Sequence, residues 1–157
     1  EAYGSLDEAI SALGLARSLA PSAGWAGRAL ELQRELFVVG AELATAPGHR
    51  SELERHFNVV TPAMVAALDA WVSELERDVS LPEGFVVPGG SPPAAALDLA
   101  RTLIRRTERR AVSLQRAGEL ENADVLRYLN RCSDLLFMLA RAAEPGAITP
   151  TGGQRRR

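Results

Sequence analysis

Between Ser80 and Pro93 the chain reads SLPEGFVVPGGSPP, with four prolines and three glycines around an apolar Phe-Val-Val. Proline lacks the amide that a helix interior must donate, and its ring clashes with the preceding turn, so no helix crosses this stretch. The segments on either side carry apolar residues at helical spacing, and no strand pattern is convincing. The chain therefore divides into helices before and after one ordered loop, with an extended piece at its centre.

Five helical segments follow from the punctuation. The first runs from about Ser5 to Ala20, with Ser5 as N-cap, Asp7 and Glu8 in the first turn, Leu6, Ile10 and Leu13 on one face, and Pro21 as the stop. The second spans about Ala23 to Ala44, where Leu30, Leu32, Leu36, Phe37, Val39 and Leu43 give more apolar surface than a one-sided helix needs. The third starts at Thr61 as cap and Pro62 as first helical residue, and ends near Val79. The fourth opens at Ser91-Pro92-Pro93 and continues to about Arg116; the fifth runs from about Leu120 to Ala143, stopped by Pro145 and Gly146. Long helices with short connections predict an all-α fold, a five-helix antiparallel bundle. A chain of 157 residues forms one domain with its own core, assigned to 1–146, and 147–157 is expected to be a disordered tail.

Several function classes are excluded by composition. A net charge of −2 argues against a surface tuned throughout to nucleic acid. No apolar run approaches the roughly 20 residues of a membrane span, and no signal-peptide pattern is visible. One cysteine, Cys132, permits no internal disulfide, so a reducing, cytoplasmic compartment is expected. The two histidines, His49 and His56, share the loop between the second and third helices, which excludes a ferritin-like site and leaves no metal held by histidine or cysteine. All 18 basic residues are arginine; a GC-rich genome accounts for part of this. The chain begins at Glu1, without methionine, at what reads as a helix start.

The fourth helix contains ARTLIRRTERR, five arginines in eleven residues. At about 100° per residue, Leu97, Ala100, Ile104, Thr107, Ala111 and Leu114 form the core stripe. Arg101, Arg105 and Glu108 border it, Asp98 lies near the same line, and Arg106, Arg109 and Arg110 point further round. Ordinary ion pairs along the helix, each worth a few tenths of a kcal/mol, are one explanation. A nucleic-acid stripe is another, but no second basic element or aromatic platform accompanies it. The fifth helix favours a third. There Asn130, Asp134, Phe137 and Arg141 line up beside a core face of Leu126, Leu129, Cys132, Ser133, Leu136 and Ala140. Two polar lines beside two adjoining cores suggest either a shared polar site or buried ion pairs between the helices.

The blocks SLDEAISALGLA, LFVVGAELAT, FVVPGGSPPAAALDLARTLIRRTERR and YLNRCSDLLFMLAR, in this order, resemble the PduO-type ATP:cob(I)alamin adenosyltransferases over most of Ser5 to Arg141. The resemblance implies a five-helix bundle assembled as a homotrimer with active sites between subunits. It implies transfer of the 5′-deoxyadenosyl group of ATP to the cobalt of cob(I)alamin, with magnesium assisting and triphosphate released. It assigns Arg105, Arg106, Glu108, Arg109 and Asn130 to ATP. Asp7, Phe85 and Arg101 go to cobalamin, with Asp7 and Arg101 as a pair and Phe85 beneath the corrin ring, where it displaces the lower axial ligand. Asp7, Phe85, Arg101 and Arg105 are the expected catalytic set. Read without the family, Phe85 is a loop anchor tucked into the core. Arg110 is left as a solvated residue. The family has histidine at Asp98 and asparagine at Ile10. Its T-x-x-G-D-x-G-x-T segment precedes the first helix and does not occur in this sequence: either it lies upstream of Glu1, or the protein is a damaged relative. A mutase that uses adenosylcobalamin is the expected recipient of the product. The rival reading is a bundle that binds or delivers cobalamin without catalysis.

Overall fold

A computed structural model of the protein describes residues 1–81 and 84–144. The expected tail, 147–157, and the last residues of the expected domain lie outside them. Among the described residues there are six α-helices and no strand: α1 (Ala2–Leu19), α2 (Ala26–Ala44), α3 (Arg50–His56), α4 (Pro62–Asp78), α5 (Pro92–Arg116) and α6 (Ala123–Ala142). The helix beyond the expected five is α3, a seven-residue piece inside the connection that holds both histidines. It buries no residue, and for that reason hydrophobic periodicity gave it no signal.

The caps explain most of the boundaries. Thr61 accepts from the Met64 amide at 3.4 Å ahead of Pro62, and Ser91 accepts from the Ala94 amide at 3.2 Å ahead of Pro92. Asn122 caps α6 through the Asp124 amide at 3.0 Å. The first helix departs from expectation. It starts at Ala2, and Ser5 is a buried interior residue whose hydroxyl donates back to the Glu1 carbonyl at 3.4 Å, so Ser5 is not a cap. An Oγ bonding one turn back is the usual behaviour of serine within a helix.

Neighbour contacts close the long helices into a ring in the order α2, α1, α5, α6, α4 and back to α2. Chain direction follows from contacting pairs. Tyr3 lies against Gly40 and Gly14 against Gln33, so α1 and α2 are antiparallel. Arg110 meets Ser5 and Arg106 meets Glu8, so α1 and α5 are antiparallel; Glu108 meets Asn130 and Asp98 meets Arg141, so α5 and α6 are too. Five alternating helices in a closed ring must leave one parallel pair of neighbours, and here it is α4 with α6. Val60 meets Asn122 and Asp69 meets Arg131 in the same chain order. The bundle is thus antiparallel at every contact but one.

The core fills the ring. Leu6, Leu13, Leu32, Leu36, Leu97, Ile104, Tyr128, Leu129 and Leu136 are all essentially inaccessible to solvent. On α5 the expected stripe of Leu97, Ala100, Ile104, Thr107 and Ala111 is buried, with Leu114 partly so. α2 also has an unneeded apolar residue, as its composition suggested: Phe37 is 57% exposed.

Candidate functional site

The two polar lines of α5 and α6 meet, but at two separate levels. Toward the α5 C-terminus, Asn130 Nδ2 donates to Glu108 Oε1 at 3.0 Å near the surface. One turn away, Arg109 donates to the Arg105 carbonyl at 3.1 Å. Among the described residues, neither Arg105 nor Arg109 forms an ion pair. Both guanidinium groups are exposed, and they stand at i and i+4, where like charges repel. An edge with two unneutralised arginines beside an ordered amide–carboxylate pair suits a polyanion, because guanidinium forks bind phosphate oxygens in pairs.

The outer arginines behave differently. Arg106 Nη2 donates to Glu8 on α1. Arg110 donates to the Ser5 hydroxyl and, at 2.8 Å, to the Glu1 carbonyl. Arg110 therefore fastens the start of α1 to α5, and the expectation of a solvated residue is corrected. Sequence spacing could not supply this, because the partner lies more than a hundred residues away and its register is set by core packing.

Toward the α5 N-terminus the lines meet inside the protein. Asp98, 3% exposed, accepts from Arg141 Nη2 at 2.5 Å and from Arg101 Nε at 3.4 Å. Arg141 also donates to Glu144 Oε1 at 2.9 Å and lies over the Phe137 ring, 5.1 Å from its centroid. Buried ion pairing is thus realised at this level, between the two helices that carry the lines. Asp134 takes a partner on its own helix, Arg131 at 3.1 Å, and joins neither level.

Arg101 therefore pairs with Asp98, and no ion pair within the chain joins it to Asp7. Asp7 stands exposed on α1, beside a hollow lined by Tyr3, Leu6, Ile10, Leu36, Phe37 and Gly40. Phe85 is 88% exposed. The core-anchor reading of this residue is overturned, and the physical reason is local. Gly84 and Gly89, on either side of the exposed piece, adopt φ of +99° and +112°, in the left-handed region open to glycine, so the backbone turns at both its ends.

Residues 1–143 match the family model described as cobalamin adenosyltransferase. The chain belongs to that family. Among curated members, the corrinoid adenosyltransferase of Bacillus subtilis is 38% identical over 147 residues, covering 90% of this chain and 72% of the relative. That of Mycobacterium tuberculosis is 37% identical over 160 residues, covering 98% and 81%. Among solved structures, a phenylalanine-to-alanine variant of the PduO-type ATP:corrinoid adenosyltransferase from Lactobacillus reuteri, complexed with cobalamin and ATP, superposes with a TM-score of 0.79. It is 36% identical, over 90% of this chain and 77% of that one. An arginine-to-lysine variant of the same enzyme, complexed with ATP, gives a TM-score of 0.77 at 34% identity, over 90% and 78%. The cobalamin adenosyltransferase fold thus carries the described helices, including the α5 edge and the α6 line.

Other groups are buried away from these levels. Tyr128, inaccessible on α6, donates to Glu35 Oε2 at 2.6 Å, and burial holds its phenol well above the usual range. Cys132, equally buried, has its thiol pushed up by desolvation and by Glu35. A thiol held protonated in the core is inert, as its place on the apolar face predicts. Among the described residues, no three histidine, cysteine, aspartate or glutamate side chains gather where a metal ion could be held.

Proposed function

We propose that the protein transfers the 5′-deoxyadenosyl group of ATP to the cobalt of cob(I)alamin, giving adenosylcobalamin and triphosphate. The observation that carries this reading is the family match over residues 1–143, and the exposed Arg105–Arg109 edge supports it as a place for the phosphates. The reduced cobalt is itself the nucleophile at the ribose C5′ carbon, so the chain need supply none. Its own task at the nucleotide is electrostatic: to hold concentrated negative charge as the triphosphate leaves.

In this reading Arg105 and Arg109 grip the phosphates, with Arg106 beside them, and the Glu108–Asn130 pair orients the nucleoside. Arg106 is held by Glu8, so it reaches the nucleotide only by sharing or exchanging that carboxylate. Magnesium assists at the phosphates, whose oxygens are hard ligands suited to it. Phe85 presents an exposed ring to the corrin. Asp7 and Arg101, which do not meet within one chain, pair across a subunit boundary of a homotrimer. We place the protein in the cytoplasm, with an adenosylcobalamin-dependent mutase as the recipient of its product.

The test is the reaction itself. The full-length gene product, given ATP, magnesium and chemically reduced cobalamin, should form adenosylcobalamin, followed by its absorbance. No coenzyme formed would overturn the reading. Cobalamin binding whose heat is indifferent to ATP would then favour a delivery protein.

A further inference from the structure

The described structure holds a second constellation, at the end of the bundle where α6 stops and α5 begins. Asp98, Arg141 and Glu144 form a line of buried charges: the Glu144 side chain is 1% exposed and that of Arg141 is 3%. Glu144 is seated against Gly90. A Cβ at that position would lie 2.9 Å from both Cγ and Cδ of Glu144, closer than real side chains come. One residue on, the Ser91 hydroxyl donates to the Ala143 carbonyl at 2.7 Å while capping α5. The loop that presents Phe85 is thus pinned at its base at two consecutive residues, both against the end of α6. The pin is anchored through Arg141 to Asp98, which also holds Arg101.

We propose that Asp98, Arg141 and Glu144 form a clamp that positions the Phe85 loop through Gly90 and Ser91. This inference rests on the cobalamin reading of Phe85. In this proposal they act through the loop and not on a substrate; they are positioning residues. A loop with two left-handed glycines has little stiffness of its own, and a displacement of about 1 Å in a positioning element is enough to cost about a hundredfold in rate. A buried anchor in which Arg141 Nη2 joins Asp98 and Glu144 supplies the missing rigidity. Gly90 lies outside the left-handed region, so replacing it perturbs the contact with Glu144 rather than the backbone.

The experiment uses Gly90→Ala, Glu144→Ala, the double variant and Glu144→Gln in the full-length protein. Gly90→Ala should raise the KM for cobalamin about tenfold while leaving that for ATP within about twofold. Glu144→Ala should act in the same direction. The double variant should be no worse than Glu144→Ala alone, because the added methyl then has room. Glu144→Gln, which keeps the shape and loses the charge, should lie between wild type and Glu144→Ala. A second readout is independent of catalysis. A nitroxide on Phe85→Cys, with Cys132 buried and unreactive, should show greater mobility in the Glu144→Ala and Glu144→Gln backgrounds than in the wild-type background. Unchanged label mobility, or a cobalamin KM unchanged in a folded Gly90→Ala, would overturn the clamp. Increased mobility in a protein whose wild type makes no adenosylcobalamin would uphold the clamp and remove the reading of function instead.

Discussion

Tyr128 and Cys132 show how a single residue's chemistry is set by what surrounds it. Both are inaccessible on α6, and burial penalises their charged forms, which raises both groups above their ordinary values of 10.0 and 9.0. The folded state therefore keeps protons that the unfolded chain gives up. Stability from these groups is whole below about pH 9 and declines as pH rises above it, through the thiol first and then the phenol. Tyr128→Phe should lose about 1 kcal/mol near neutrality, the net worth of the bond to Glu35. Its urea midpoint should then fall less steeply than the wild-type one between pH 9 and 11. An equal alkaline slope in the two proteins would show that the phenol does not govern the transition. Arg105 is the opposite case, an exposed side chain whose environment leaves it unpaired. Arg105→Ala should leave thermal stability within about 0.5 kcal/mol, as at ordinary surface sites. It should raise the KM for ATP or lower kcat by about tenfold or more, with calorimetric affinity for cobalamin preserved. Loss of cobalamin binding instead would move Arg105 to the other substrate. At this scale the sequence was informative about faces and silent about partners. Helical spacing separated the core stripe of α5 from its arginines. It could not show that Arg110 reaches Ser5, that Arg106 reaches Glu8, or that Asp98 lies buried against Arg141, because those pairings depend on the register between helices.

Among elements, the two ends of the bundle are built differently. At the end where α2 stops, Asn122 does three things at once. It caps α6, donates to the buried Glu42 carboxylate at 2.9 Å, and donates to the Val60 carbonyl at 2.9 Å, while Glu42 also accepts from the Val60 amide at 2.5 Å. This small network joins the starts of α4 and α6 to the end of α2, and so fixes the parallel α4–α6 contact. Asn122→Ala removes the cap, worth about 1 kcal/mol, and leaves buried acceptors unpaired, worth about 1–3 kcal/mol more. A loss of about 2–4 kcal/mol by denaturant titration is expected, with kcat retained at temperatures where the variant is folded. A loss below about 0.5 kcal/mol would show that water replaces the amide without penalty. The opposite end, at Ser91 and Glu144, carries the loop and pairs its buried carboxylates with the Arg141 guanidinium, where this one pairs a carboxylate with amides. Cap residues such as Thr61 and Ser91 were legible because a hydroxyl before proline has one local meaning. Ser5 was misread because the same residue type inside a helix can bond backward, and only the preceding turn, Ala2 to Gly4, distinguishes the two.

For the molecule as a whole, the informative fact is a contact that a single chain does not make. Asp7 is exposed on α1, Arg101 sits on α5 with Asp98, and no ion pair joins Asp7 to Arg101. Around Asp7 lie two exposed aromatic residues, Tyr3 and Phe37, a costly surface to leave in water. A subunit boundary that covers this patch and brings Arg101 of one copy to Asp7 of the next would account for both observations. In a closed ring of identical subunits, each boundary then takes one residue from each side. Asp7→Ala and Arg101→Ala should each be nearly inactive alone. Unfolded together in equal amounts and refolded, they should regain activity, because a boundary that takes Asp7 from the arginine variant and Arg101 from the aspartate variant is intact. With random mixing that is about a quarter of all boundaries, so about a quarter of wild-type activity is expected. Sedimentation equilibrium of the mixture supplies the subunit number, which the quarter does not, since any ring with one such boundary per subunit gives the same fraction. Mixed oligomers that remain as inactive as the separate variants would place the Asp7 and Arg101 contributions within one subunit.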